Sequence, residues 1–127
     1  MAYGPELPND LFRNQRLSVQ GIASEISTGT ASSAAVTIND LFGIITSESL
    51  TTAQNAVATI TLTNSMIAAG DIVITSLGNG TNTQGTPTLT SSTVTASTVV
   101  YKISNLHASA EALNGTLKLR FMVIKAL

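Results

Sequence analysis

The chain offers few side chains able to do covalent or acid–base chemistry. It has one histidine, His107, and no cysteine. That excludes a disulfide scaffold, a thiolate metal site and a cysteine nucleophile, and it leaves too few ligands for a zinc centre. Serines are plentiful, but no Gly-x-Ser-x-Gly elbow accompanies them, so a Ser-His-Asp triad has no support in the sequence. His107 reads as a turn or interface residue. The seven carboxylates, Glu6, Asp10, Glu25, Asp40, Glu48, Asp71 and Glu111, are scattered along the chain. Only convergence in the fold would make a catalytic pair of two of them. No catalytic residue, metal or cofactor is expected.

The segment Gly78-Asn79-Gly80-Thr81-Asn82-Thr83-Gln84-Gly85 is rich in glycine. A phosphate cradle of that composition opens a helix and usually carries a lysine. Here the run leads into Thr86-Pro87-Thr88 with no lysine nearby. It reads as an exposed loop between strands, with Asn79, Asn82 and Gln84 as its candidate contacts. Asn79-Gly80-Thr81 and Asn114-Gly115-Thr116 match the glycosylation sequon. The opening residues lack the basic and apolar regions of a secretory signal, so both are read as tight turns with positive φ.

Composition narrows the function further. Lys plus Arg number 6 against 7 Asp plus Glu, a balance unlike that of a nucleic-acid binder. Charged residues are 10% of the chain, well under the quarter usual in soluble domains. In their place stand 19 Thr and 14 Ser. Hydrophobic residues reach 43%, enough to exclude a disordered chain, yet only Tyr3, Phe12, Phe42, Tyr101 and Phe121 are aromatic. No apolar run approaches the roughly 18 residues of a membrane helix, so no membrane contact is expected.

The elements follow from β-branched residues and period-two alternation. In 56–63, Ala58, Ile60 and Leu62 face one way and Thr59, Thr61 and Thr63 the other. Val99, Tyr101 and Ile103 share a face in 98–103, as do Leu117, Leu119, Phe121 and Val123 in 116–124. Weaker strands are predicted over 16–27, 34–38, 43–48, 71–77 and 88–95. Only 64–69 and 107–113 are candidates for a turn or two of helix. About eight short strands separated by turn signals predict an all-β fold, a single antiparallel β-sandwich or jelly-roll-like domain over 17–127. Tyr101 and Phe121 are placed in its core.

Two regions point to association. Residues 1–16 contain Pro5 and Pro8 and read as an extended N-terminal arm. Leu7, Leu11, Phe12, Arg13 and Arg16 are its candidate contacts with a partner surface. In the last strand Met122 and Ile124 lie opposite the core side chains. A strand apolar on both faces is central in a sandwich or buried against another copy, and these two residues are the candidate subunit interface.

The stretches Leu62-Thr63-Asn64-Ser65-Met66-Ile67-Ala68-Ala69-Gly70-Asp71, Gly78 to Pro87, Ile103-Ser104-Asn105-Leu106-His107-Ala108-Ser109-Ala110 and Leu113-Asn114-Gly115-Thr116-Leu117 resemble small virion proteins of tailed bacteriophages. The likeness covers about residues 50–126 and is greatest to capsid decoration, or cement, proteins. It implies a β-sandwich or jelly-roll body, usually a homotrimer, on the outer capsid surface where major capsid proteins meet. There it would stabilise the shell, with no catalytic residues. The alternative is a virion fibre or knob domain that binds a host-surface glycan or receptor through the loop at 78–87. A hydrolase built from converged Asp and Ser is the least supported reading.

Overall fold

Period-two alternation in the sequence becomes the two faces of each strand. The computed structural model describes residues 27–127. Within them lie β1 (Ser27–Thr30), β2 (Ala35–Thr37), β3 (Phe42–Thr46), β4 (Val57–Thr63), β5 (Ile72–Asn79), β6 (Pro87–Thr95), β7 (Thr98–Asn105) and β8 (Leu117–Ile124). They form two four-stranded sheets. The first has the order β1-β3-β8-β5 and the second β2-β4-β7-β6. The all-β sandwich expected from the sequence is the architecture observed. The expected arm, 1–16, lies outside the described residues, and the expected strand over 16–27 overlaps them only at Ser27.

Both sheets are mixed, where antiparallel pairing was expected. β1 pairs with β3 in parallel, and β2 pairs with β4 in parallel. The cause is the path of the chain, which alternates between sheets from β1 to β6. Each strand returns to its own sheet only after an excursion through the other, and so can arrive pointing the same way. β6 and β7 alone are consecutive in chain and adjacent in one sheet. Their hairpin turns at Ala96-Ser97, with Ser97 in the left-handed region at φ 62.

The core lies between the sheets. Ile45, Leu117, Leu119, Phe121 and Val123 of the first sheet meet Val36, Ile60, Leu62, Val99, Tyr101 and Ile103 of the second. Tyr101 is fully buried, and its hydroxyl accepts a hydrogen bond of 3.0 Å from the Thr75 hydroxyl across the sandwich. Burial raises the pKa of that phenol, and the Thr75 bond opposes the shift.

The two candidate helical segments are loops. At 64–69, Asn64 accepts from the Met66 amide at 3.0 Å, donates to the Asp40 carbonyl at 2.6 Å and so makes a turn tied to a distant loop. At 107–113, the Leu113 amide is taken by the Thr52 carbonyl at 3.0 Å instead of by its own turn. No helix among the described residues is long and apolar enough to cross a membrane.

Candidate functional site

The loops at one end of the sandwich are tied together by buried asparagines. Asn105, fully buried, donates to the Thr52 carbonyl at 3.0 Å and the Glu111 carbonyl at 2.7 Å. Its oxygen accepts from the amides of Thr86 at 2.9 Å and His107 at 3.2 Å. Asn82 donates to the Asn79 side chain at 3.2 Å and the Gln84 carbonyl at 2.8 Å, and accepts from the Asn114 amide at 2.9 Å. Asn114 in turn accepts from the Thr83 amide and donates to its hydroxyl. Asn79 and Gln84 are exposed as expected. Asn82 is not: it is only 4% exposed and acts as the bolt of the loop.

Neither Asn-Gly pair adopts positive φ, contrary to expectation. The glycines answer a different need. A Cβ on Gly80 would collide with the Thr116 hydroxyl, and one on Gly115 would lie 2.7 Å from the Asn82 amide nitrogen. The two Asn-Gly-Thr segments press against each other, and Thr81 and Thr116 exchange hydrogen bonds of 2.9 Å. Close approach, not handedness, selects glycine here.

Little chemistry is assembled at this end. His107 has the Ser109 hydroxyl 3.2 Å from Nδ1 and Glu111 3.9 Å from Nε2, both its own near neighbours in sequence. No group of three metal-ligating side chains occurs among the described residues.

The outward faces of the two sheets differ sharply. On the second sheet, Thr37, Thr63, Thr98 and Thr95 stand in one rank across all four strands. Thr59, Thr61 and Thr93 flank that rank, and Lys102 is the one charge. Val57 is 54% exposed but pairs with Ser104, away from other outward apolar side chains. On the first sheet, Ile72 pairs with Ile124, and Met122 stands between Ile74 and Phe42. Ile72, Ile74, Met122 and Ile124 are 59%, 52%, 39% and 43% exposed. Further along β8 the same face carries Arg120, between Ile44 and Ser76, and then Lys118, between Thr46 and Gly78. It thus grades from apolar to basic and holds no acid among the described residues.

The apolar end of this face is held in place by Asp71. Its carboxylate accepts from Lys125 Nζ, from the Ala68 amide at 2.8 Å and from the Ala126 amide at 2.9 Å. The Lys125 hydrogen bond, with the amides of Ala68 and Ala126, lowers the Asp71 pKa to about 2. The clamp joins the residue before β5 to the residues after β8, and so fixes Ile72 beside Ile124.

Of the candidate site residues, Met122 and Ile124 lie together on this face. Leu7, Leu11, Phe12, Arg13 and Arg16 lie outside the described residues. Sequence reasoning missed Ile72 and Ile74. The signal was present, since 71–77 is apolar at both parities, the same mark that singled out β8. Comparison with family models, curated proteins and solved structures finds no match for this chain.

Proposed function

We propose that the chain is a non-enzymatic capsid decoration protein. It binds the outer surface of a bacteriophage capsid as a homo-oligomer, a trimer on the resemblance, and stabilises the shell. What supports this most is the outward face of the first sheet. Four large apolar side chains sit there in one cluster, whereas the other large exposed apolar side chains among the described residues, Val57, Met66, Leu106 and Leu127, lie off this face. Keeping such a cluster in water costs about 25 cal/mol for each Å², a cost removed when another surface covers it. Contacts repeated by symmetry then give an avidity that no single copy has.

The segments that carry the resemblance coincide with the loops bolted by Asn64, Asn82, Asn105 and Asn114. The shared pattern therefore has a physical meaning, a stiff scaffold of loops. The N-terminal residues Leu7, Leu11, Phe12, Arg13 and Arg16 are assigned to contact with the major capsid protein or a neighbouring copy. A glycan-binding knob is less well supported. The buried Asn82 amide is spent within the 78–87 loop, which leaves Asn79 and Gln84 as its exposed candidate contacts.

The test is co-sedimentation of purified chain with expanded, undecorated phage shells. Full-length chain is expected to pellet with shells and to raise their resistance to heat, and a variant lacking residues 1–16 to be lost. Full-length chain that stays in the supernatant overturns the proposal.

A further inference from the structure

A sandwich of two open sheets has four edge strands, and each edge exposes backbone groups able to pair with another chain. Two of the four are blunted, and β1 is described only from Ser27 onward. β2 runs for three residues. β6 runs for nine but opens on Pro87 and is bulged between Leu89 and Ser91. Short strands, proline and bulges are the devices by which natural sheets avoid edge pairing. β5 has none of them. It runs for eight residues, Ile-Val-Ile-Thr-Ser-Leu-Gly-Asn, without charge or proline and in unbroken register with β8. Among the described residues it pairs with β8 alone. The apolar outward face runs out to this same edge through Ile72 and Ile74.

We infer that this edge of β5, unpaired among the described residues, pairs antiparallel with β5 of a second copy, about a two-fold axis through Thr75. The register follows from the faces. Directly opposed residues must share a face, so their numbers must sum to an even value. The register centred on Thr75 sets Ile72 against Gly78, Ile74 against Ser76 and Val73 against Leu77. Outward, each large side chain meets a small one. Inward, Val73 meets Leu77 and Thr75 meets its own copy. The register centred on Ser76 instead sets Val73 against Asn79 and leaves Ile72 without a partner.

Charge permits the pairing. The Arg120 guanidinium lies over Gly78 of the edge strand, and Gly78 faces Ile72 of the other copy, so the two guanidinium groups are offset along the strands by roughly 20 Å. That exceeds the screening length of about 8 Å at physiological salt. Covering Gly78, each guanidinium comes to lie in this register beside Ile72 of the other copy. Two sandwiches joined in this way share one eight-stranded sheet. The inference goes beyond the capsid proposal and does not depend on it: a two-fold pair closes at two copies, a trimer uses a contact other than this edge, and the pairing is read in purified protein without shells.

The chain has no cysteine, so single cysteines report cleanly. Ile74→Cys and Ser76→Cys are made as separate full-length chains. Oxidised together they are expected to form a disulfide-linked heterodimer, and each alone far less. No cross-link in the mixture, or equal cross-linking by each variant alone, overturns the register. In sedimentation equilibrium the unmodified chain is expected to dimerise, and Ile74→Lys to raise the dissociation constant by about tenfold or more. The lysine replaces a half-exposed side chain, so its melting curve should match the parent, and Thr61→Lys on the other sheet should leave dimerisation unchanged. A chain that stays monomeric at all concentrations overturns the proposal. So does an intrachain disulfide in a Phe12→Cys, Ile74→Cys double variant, which gives this surface to the N-terminal segment.

Discussion

The two outward sheet faces both draw on β-branched side chains. Isoleucine on the first and threonine on the second are both β-branched, and both suit a pleated strand. They differ in what water does to them. A threonine hydroxyl on the second sheet keeps its hydrogen bonds to solvent, whereas Ile72 and Ile74 hold apolar surface in water with more than half of each residue exposed. Strand formation and readiness to associate are therefore set separately. Low charge makes both faces free of strong repulsion, but only the first gains from being covered. The edges repeat the contrast, since the second sheet ends in a bulged β6 and the first in a regular β5.

The comparison breaks most completely if the shared core is removed. Tyr101→Ala deletes the largest fully buried side chain and the Thr75 hydrogen bond, and should cost about 3–5 kcal/mol in urea unfolding. Both faces should be lost in one transition, and two separate transitions would mean that the sheets are independent units. Asn105→Ala leaves the Glu111 carbonyl and the amides of Thr86 and His107 without their partner and should cost about 3 kcal/mol. Its effect belongs to the loop end, so self-association of the folded fraction should be unchanged. The double variant Ile72→Thr, Ile74→Thr recasts the first face in the chemistry of the second. It should weaken self-association about tenfold or more while shifting monomer stability by less than about 1 kcal/mol.

The smallest effect is confined to acid. Asp71 has a folded pKa of about 2, below its ordinary value of 3.8. Its contribution to stability is fully present above about pH 4 and is lost as pH falls through the folded value near 2. The melting temperature of the parent should drop over that window. Asp71→Asn should melt lower at neutral pH and lose less of its stability on acidification. The clamp lies under Ile72 and Ile124, so the variant also tests whether the apolar end of the face must be held rigid for association.

Alternation made much of this fold legible. Ile60 and Leu62, the Val99-Tyr101-Ile103 set, and Leu117 to Val123 occupy the core faces assigned to them by parity alone. Parallel pairing of β1 with β3 and β2 with β4 was not legible, because parity records which face a residue takes and not which sheet the strand joins. The asparagine bolts were hidden for a related reason. Asn82 and Asn105 look like loop residues, and their burial is created by distant partners, Asn114 at 32 positions and Thr52 at 53. The association face was half legible. Met122 and Ile124 declared themselves by breaking the pattern of β8, while Ile72 and Ile74 joined them only once β5 was seen beside β8.

On this proposal the first sheet, at its β5 side, is the surface that another copy covers. Hydrogen–deuterium exchange of the full-length chain, followed from low micromolar to submillimolar concentration, tests this most directly. Amides of β5 should become slower to exchange as concentration rises, while those of β6, the facing edge of the second sheet, should not change. Protection that appears in β6, or in neither edge, would contradict it.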